Sequence, residues 1–385
     1  MIRGGPPGPF AEYSLYIHVP FCRSFCDYCD FYSVALGSSS PGSFSPGDRD
    51  LINRYIAVLE GDARRLLEEF PPASVPSVYI GGGTPSVLGE EGMGRLLALL
   101  GDLLPPPAEE REWTMEANPE SLDRALLRVC REGGINRLSL GVQSLSPRLR
   151  ALVHRRGGAE RVYRALDLAA EFFPQDFSVD LMAGLPEQRP ADLLGDLEEI
   201  LGFHPAHLSL YSLSLEEGTP LWNRRGELPP EDRRDSLWIT GRDALEDAGY
   251  GQYEVSNFSL PGKESRHNLR YWAMKNWLAL GPSGSGTLID DRTGTGRRYT
   301  WPADMDAWFS PSSRIKDGGT GLAFLPAAEY LDRLTLMKES LLMGFRCVRG
   351  PDGELFARRF GLRPEEAVPR SLAKYRDRGL AAPRG

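Results

Sequence analysis

Cys22, Cys26 and Cys29 stand in one short loop, YIHVPFCRSFCDYCDFYS, with the spacing C-x3-C-x2-C. Three thiolates so spaced can grip three corners of an iron–sulfur cube and leave the fourth iron without a protein ligand, open to a substrate. Phe21, Phe25, Tyr28, Phe31 and Tyr32 crowd the same loop. Such rings lower the local dielectric and keep water and oxygen from a cluster. A second reading of the donors is a structural zinc site, with His18, four residues before Cys22, completing a Cys3His set. Against zinc, small knuckles rarely follow a barrel-type strand directly or carry so many aromatics.

Other chemistry-bearing residues fall at the ends of segments that read as strands. Gly81, Gly82 and Gly83 precede Thr84 and Pro85. Glycines let backbone carbonyls approach a ligand such as an ammonium group, and Pro85 holds Thr84 extended; a tight strand-to-helix turn accounts for the same glycines. Glu116, in MEANP, could accept hydrogen bonds from ribose hydroxyls, and Arg155 could fork onto a carboxylate, although a surface charge, or Arg156 beside it, is the alternative. Gln143 closes the next strand. Asp180 lies in the one after, where a buried carboxylate capping a loop is the other reading. Tyr211 and Ser212 stand in the last.

Farther on, ESRHNLRYWAMKNW places His267, Asn268, Tyr271 and Trp272 as H-N-x-x-Y-W. An imidazole can ligate haem iron axially, and Tyr and Trp can pack a porphyrin face or bond a propionate. The residues alone favour an aromatic core with one satisfied histidine. His18, His154, His204 and His207 lack comparable surroundings. There is no G-x-x-x-x-G-K-[ST] loop and no G-x-S-x-G elbow, and GPSGSGTL at 281–288 does not open a helix.

The elements that must position these residues alternate in type. Six β-branched or aromatic runs, at 14–20, 77–82, 112–118, 136–144, 177–184 and 207–216, are separated by amphipathic helical patterns such as Leu51, Tyr55, Val58 and Leu59. That is the signature of βα units and a parallel sheet. Six units are too few to close eight strands, so the expected fold is α/β: a partial (β/α)6 TIM-type barrel, open on one side, with a small, mainly helical C-terminal domain. The pattern divides the chain into a flexible extension at 1–13, the barrel at 14–218, a barrel-covering extension at 219–324 with a helix near 231–248 and strands around 250–257, 278–290 and 297–301, and the helical domain at 325–385, led by a helix over 327–344. SVALGSSSPGSFSPGD, at 33–48, reads as a surface insertion.

The 385 residues, 41% of them hydrophobic, suit one large α/β unit with an appendage. No run approaches the roughly 18 apolar residues of a spanning helix, and MIRGGPPGPF lacks the layout of a signal peptide, so the expected compartment is the cytoplasm and the protein does not span a membrane. Five cysteines, three in one loop, do not make a disulfide framework; Cys130 and Cys347 read as buried or incidental. A net charge of −8 leaves no electrostatic footprint for nucleic acid.

YIHVPFCxxxCxYCxF resembles the radical S-adenosylmethionine (SAM) superfamily, and specifically the branch holding oxygen-independent coproporphyrinogen III oxidase and the HemW-like haem chaperones. The resemblance implies a [4Fe–4S] cluster on Cys22, Cys26 and Cys29, with SAM contacts at Tyr16, Tyr28, Gly82, Gly83, Thr84, Glu116, Gln143, Arg155 and Asp180. It also implies haem on His267. The cluster would pass one electron into the sulfonium of SAM, giving methionine and a 5′-deoxyadenosyl radical. In the oxidase a fourth cysteine follows two residues after the third; here that position is Phe31, which favours the chaperones. The implied partners are haem, haem-accepting respiratory proteins, an electron donor and a possible second copy of the chain. The alternative is the oxidase itself.

Overall fold

The computed structural model describes residues 10, 12–37, 44–106, 110–310, 326 and 328–380. Most of the expected 1–13 extension, the middle of the Ser/Gly/Pro insertion and the boundary at 324/325 lie outside these residues.

The strands are β1 (Ser14–Val19), β2 (Phe21–Cys22), β3 (Val34–Ala35), β4 (Ser77–Gly82), β5 (Glu112–Ala117), β6 (Arg137–Gln143), β7 (Phe177–Ala183) and β8 (His207–Ser212). β1, β4, β5, β6, β7 and β8 lie side by side in that order, every neighbouring pair parallel. Parallel neighbours need a crossover, and the helices at Pro46–Glu69, Gly89–Leu103, Arg124–Glu132, Ala159–Phe172 and Pro190–Leu201 supply it. The first of these begins at a capping box, Ser45 with Asp48, whose carboxylate also accepts from the Gly37 N–H at 3.1 Å.

Alternation along each strand sorts the side chains between two faces. Leu15, Ile17, Val78, Ile80, Met115, Leu138, Leu140, Val179 and Leu208 join Tyr55, Leu59, Leu96 and Leu166 of the helices in one buried core. The residues between them are polar and bond across the inside of the curved sheet: Ser77 to Ser14 at 2.8 Å, Tyr79 to Glu116 at 2.7 Å, Ser139 to Asp180 at 3.3 Å, and Ser178 to His207 at 2.7 Å. The apolar face holds the fold together, and the polar face is free to meet a ligand.

The sheet stays open and is continued at both edges. Beyond β8 come β9 (Gly251–Gln252) and β10 (Asn257–Ser259). Beyond β1 come β11 (Trp277–Leu280), parallel to it, then β12 (Ser285–Asp290), β13 (Thr295–Thr300) and β14 (Ala328–Leu331), each antiparallel to its predecessor. The single strand expected at 278–290 is two, parted by a turn in which Gly281 and Ser283 both take positive φ. The helix expected over 327–344 starts at Arg333, because Ala328–Leu331 pairs with β13 and Asp332 caps the helix through the Thr335 N–H at 2.7 Å. Helices Arg333–Gly344 and Gly353–Phe360 pack on this extension through a small core of Met274, Trp277, Ile289, Leu331, Leu336, Leu341, Phe356 and Phe360.

Helix Arg266–Trp272 lies across the N-terminal mouth of the barrel. Buried Glu112 accepts from the backbone N–H groups of Arg266 and His267, each at 2.8 Å, and from the Ser265 hydroxyl at 3.4 Å. Bonds to an ionised acceptor are among the stronger ones in a fold. Glu112→Ala is expected to lower unfolding stability by about 2–3 kcal/mol, read as a lower urea midpoint at unchanged slope. An unchanged midpoint would mean that this carboxylate does not hold the helix.

Candidate functional site

The cysteine loop leaves the top of β1 and is anchored before it reaches its first thiol. β2 pairs with β3, the Leu36 N–H bonds the Cys22 carbonyl at 2.9 Å, and the Cys29 N–H bonds the Cys26 carbonyl at 3.2 Å. Buried Asp27 is held on every side. Its N–H donates to the Val153 carbonyl at 3.1 Å, its carbonyl accepts from the Leu221 N–H at 2.9 Å, and its carboxylate meets His154 Nδ1 and Arg224 Nη1, each at 2.7 Å.

All three cysteines wall one cavity of about 500 Å³, together with Gly83, Thr84 and Arg155. Tyr28, Cys29, Gly83, Thr84, Asn118 and Arg155 also line a second cavity of about 410 Å³, which runs down into the barrel past Gly82, Glu116, Gln143, Asp180 and Tyr211. The C-terminal mouth is therefore a double chamber, with thiols in the upper part and strand-end polar groups in the lower. Tyr16 does not reach it: its hydroxyl bonds His18 Nδ1 at 3.1 Å and its ring stacks on Tyr79.

The zinc reading does not survive this geometry. His18 is buried with both ring nitrogens engaged, Nδ1 by Tyr16 and Nε2 by the Tyr32 carbonyl at 3.0 Å. With His18 engaged elsewhere, three thiols around a roomy cavity suit a cube with an open corner better than a Cys3His ion.

The triple glycine is built for close approach. A Cβ on Gly82, whose φ is +110°, would stand 2.7 Å from the His18 ring, and one on Gly83 would stand 2.7 Å from the Phe21 carbonyl oxygen. The Gly83 N–H bonds the Val19 carbonyl at 2.8 Å. The glycines thus press the turn after β4 against the root of the cysteine loop and carry Thr84 Oγ1 to 3.6 Å from Cys22 Sγ.

Arg155, not the exposed Arg156, points inward: Nη2 donates to Asn118 Oδ1 at 2.6 Å and to the Gly141 carbonyl at 2.5 Å, and Nη1 reaches Cys26 Sγ at 3.4 Å. Gln143 sits at a bulge in β6 with φ of 70°. Burial pushes the Glu116 carboxyl up to about 7, against hydrogen bonds from Tyr79 and the Gly82 N–H, with the Asp180 charge adding to the rise. Burial also raises Asp180, which the hydroxyls of Ser209 and Ser139 restrain. It raises the Cys22 thiol, and lifts that of Cys29 to about 11. Binding of a metal centre at these sulfurs must displace protons.

His267 lies at the other end of the barrel. Its Nδ1 meets Ser77 Oγ at 3.0 Å, its ring is 5.0 Å from that of Tyr79, and it is almost fully buried. The two ends of the barrel share one residue, since the Tyr79 hydroxyl bonds Glu116. Sequence reasoning missed Tyr79 and the Asp27 anchor. For Tyr79 the available signal was alternation along SVYIGG, which puts it on the same face as Gly81.

Comparison with known proteins gives two family matches, the radical SAM superfamily over residues 16–200 and the HemN C-terminal domain over residues 331–383. The chain is 36% identical to the heme chaperone HemW of Escherichia coli, over 71% of this chain and 70% of that one. It is 29% identical to HemW of Bacillus subtilis, over 95% and 92%. It is 35% identical to the mouse mitochondrial radical S-adenosyl methionine domain-containing protein 1, over 89% and 76%. Among solved structures it superposes on the coproporphyrinogen III oxidase HemN of E. coli, a radical SAM enzyme, with a TM-score of 0.77 over 97% of this chain and 84% of that one. At 20% identity that likeness is one of fold.

Glu116 keeps its proton up to about pH 7 in the fold, whereas an unfolded glutamate loses it near 4.5. Between those values the folded state binds more protons, so stability falls as pH rises. Glu116→Gln removes this slope. In metal-free protein the variant is expected to gain on the order of 3 kcal/mol relative to the parent between pH 4.5 and 8, measured by urea midpoints. Parallel pH profiles for the two chains would contradict it.

Proposed function

Since the chain belongs to the radical SAM superfamily, in the branch that contains HemN and the HemW haem chaperones, we propose that it is a haem chaperone. In this reading it carries a [4Fe–4S] cluster on Cys22, Cys26 and Cys29 and SAM beneath it, and hands haem to respiratory haem proteins. The observation that carries the cofactor reading is the double chamber, in which the three thiols open onto Thr84, Glu116, Gln143, Arg155 and Asp180. When bound, the cluster and SAM supply one-electron cleavage of a sulfonium.

The chain's own residues bind and orient. Arg155, fixed by Asn118 and Gly141, offers charge to the carboxylate of a methionine moiety. Glu116, fixed by Tyr79, accepts from ribose hydroxyls, and the backbone at Gly82–Thr84 faces the amine. Gln143, Asp180 and Tyr28 complete the wall, with Tyr16 behind it. We assign 14–218 to this barrel, 219–324 to the extension carrying the haem motif and 325–385 to the C-terminal domain.

For haem the proposed ligand is His267. Burial, with the charges of Arg270 and Arg137, holds its imidazole down to about 3, so it stays neutral, the form that ligates iron. Its ring is enclosed by Ser77 and Tyr79, and iron ligation therefore requires helix 266–272 to lift from the barrel floor. The oxidase reading is disfavoured by Phe31, which stands 65% exposed at the chamber wall where the oxidase has its fourth cysteine. The proposed compartment is the cytoplasm; among the described residues no helix is long and apolar enough to cross a membrane.

Anaerobic reconstitution is expected to give about four iron and four sulfide per chain, lost when any of Cys22, Cys26 or Cys29 becomes alanine. His267→Ala should keep the iron and weaken haem binding. Incubated with SAM, reductant and coproporphyrinogen III, the protein should yield no protoporphyrinogen IX. Turnover of that substrate would replace the chaperone reading with the oxidase, and unchanged haem affinity in His267→Ala would remove the histidine as ligand.

A further inference from the structure

Arg150, in the short helix Pro147–Leu152, is 2% exposed, and among the described residues no carboxylate stands within ion-pair distance of it. Burial, with the charge of Arg155 beside it, lowers its guanidinium to about 10, so it stays charged at neutral pH. Its Nε meets no acceptor among the described residues. A buried charge without a counter-ion is costly, and an apolar side chain could fill the same space at lower cost. Its other two nitrogens join separate segments of the chain.

Nη1 donates to the Val142 carbonyl at 2.5 Å and Nη2 to the Arg156 carbonyl at 2.6 Å. Val142 is the residue that the β6–β7 register skips, since Gly141 faces Asp180 and Gln143 faces Leu181. Bulges of this kind re-aim side chains beside functional sites. Arg156 follows Arg155, which grips the carbonyl one residue earlier in β6, that of Gly141, at 2.5 Å and returns its own N–H to the Arg150 carbonyl at 2.9 Å. Two guanidinium groups therefore hold consecutive carbonyls of the bulge. Only one of the two meets the chamber: Arg155 lines both cavities, and Arg150, Val142 and Arg156 line neither.

We propose that Arg150 is a positioning residue for SAM. Its buried fork fastens the turn at 155–156 to the bulge of β6 and so aims the Arg155 guanidinium at the methionine carboxylate, without touching the ligand itself. The inference rests on the assignment of SAM to the chamber and of its carboxylate to Arg155. A planar guanidinium offers donors in two fixed directions, which a bridge between two carbonyls needs; a lysine ammonium is a point charge on a flexible stem and does not make that bridge.

The test compares equilibrium binding of SAM and of decarboxylated SAM, which keeps the sulfonium, amine and ribose, to cluster-loaded full-length protein without reductant. The parent is expected to bind SAM at least tenfold more tightly, because charged hydrogen bonds reach its carboxylate. Arg150→Met and Arg150→Lys are each expected to weaken SAM about tenfold and to leave decarboxylated SAM unchanged. In an Arg155→Met background the same substitutions should add no further loss, since the effect runs through that one side chain. Iron content and melting temperature check that the variants fold. Unchanged SAM affinity in both variants, equal losses for the two ligands, or a further loss in the Arg155→Met background would overturn the positioning role and leave the SAM reading standing. Full affinity in Arg150→Lys beside a loss in Arg150→Met would assign the effect to charge and overturn the fork. Parent protein that binds both ligands equally would overturn the Arg155 assignment and this role with it, and parent protein that binds no SAM would overturn the cofactor reading itself.

Discussion

A cube held by three thiols tolerates little drift in the loop that carries them, and the packing of the β4 turn against the end of β1 is what removes that drift here. Glycine at 82 and 83 allows the contact, since a Cβ at either position would collide with the His18 ring or the Phe21 backbone. His18 then ties the two ends of the loop together, from Tyr16 below to the Tyr32 carbonyl beyond the last cysteine. Asp27 pins the middle to residues 153–154 and 221–224. The thiols sit at the end of the first strand because that is where the neighbouring parallel strands can brace them.

The same parallel sheet makes the interior a polar shaft with two mouths. The C-terminal mouth is the chamber of cysteines, Arg155 and Glu116, and the N-terminal mouth is stopped by the helix of His267, capped by Glu112. Tyr79 touches a candidate group of each end, Glu116 through its hydroxyl and His267 through its ring.

What could be read from the sequence was what is local. The cysteine spacing, the glycine run and MEANP each sit in a few consecutive residues, and six runs of strand type alternate with helical patterns, so the parallel core and most of the chamber wall followed. Pairings made only by the fold did not. Asp27 meets His154 and Arg224 across 127 and 197 positions, and no local pattern announces that. His18, four residues from a cysteine, looks like a ligand until its two nitrogens are seen to be engaged. His267 reads the same whether it faces solvent or the barrel floor, because a seven-residue helix has too few turns to fix a buried face by periodicity. Residues 328–331 passed for the start of a helix because Ala, Glu and Leu suit one, and β13 overrides that preference by pairing.

The proposed function turns on one iron left open to SAM by the three sulfurs. Its most direct test is electron–nuclear double resonance on the reduced cluster, with SAM labelled by ¹⁵N at the amine and ¹⁷O at the carboxylate. Hyperfine coupling to both labels is expected, from chelation at the open iron. A reduced cluster that gives no coupling to either, with SAM shown to be bound, would contradict it.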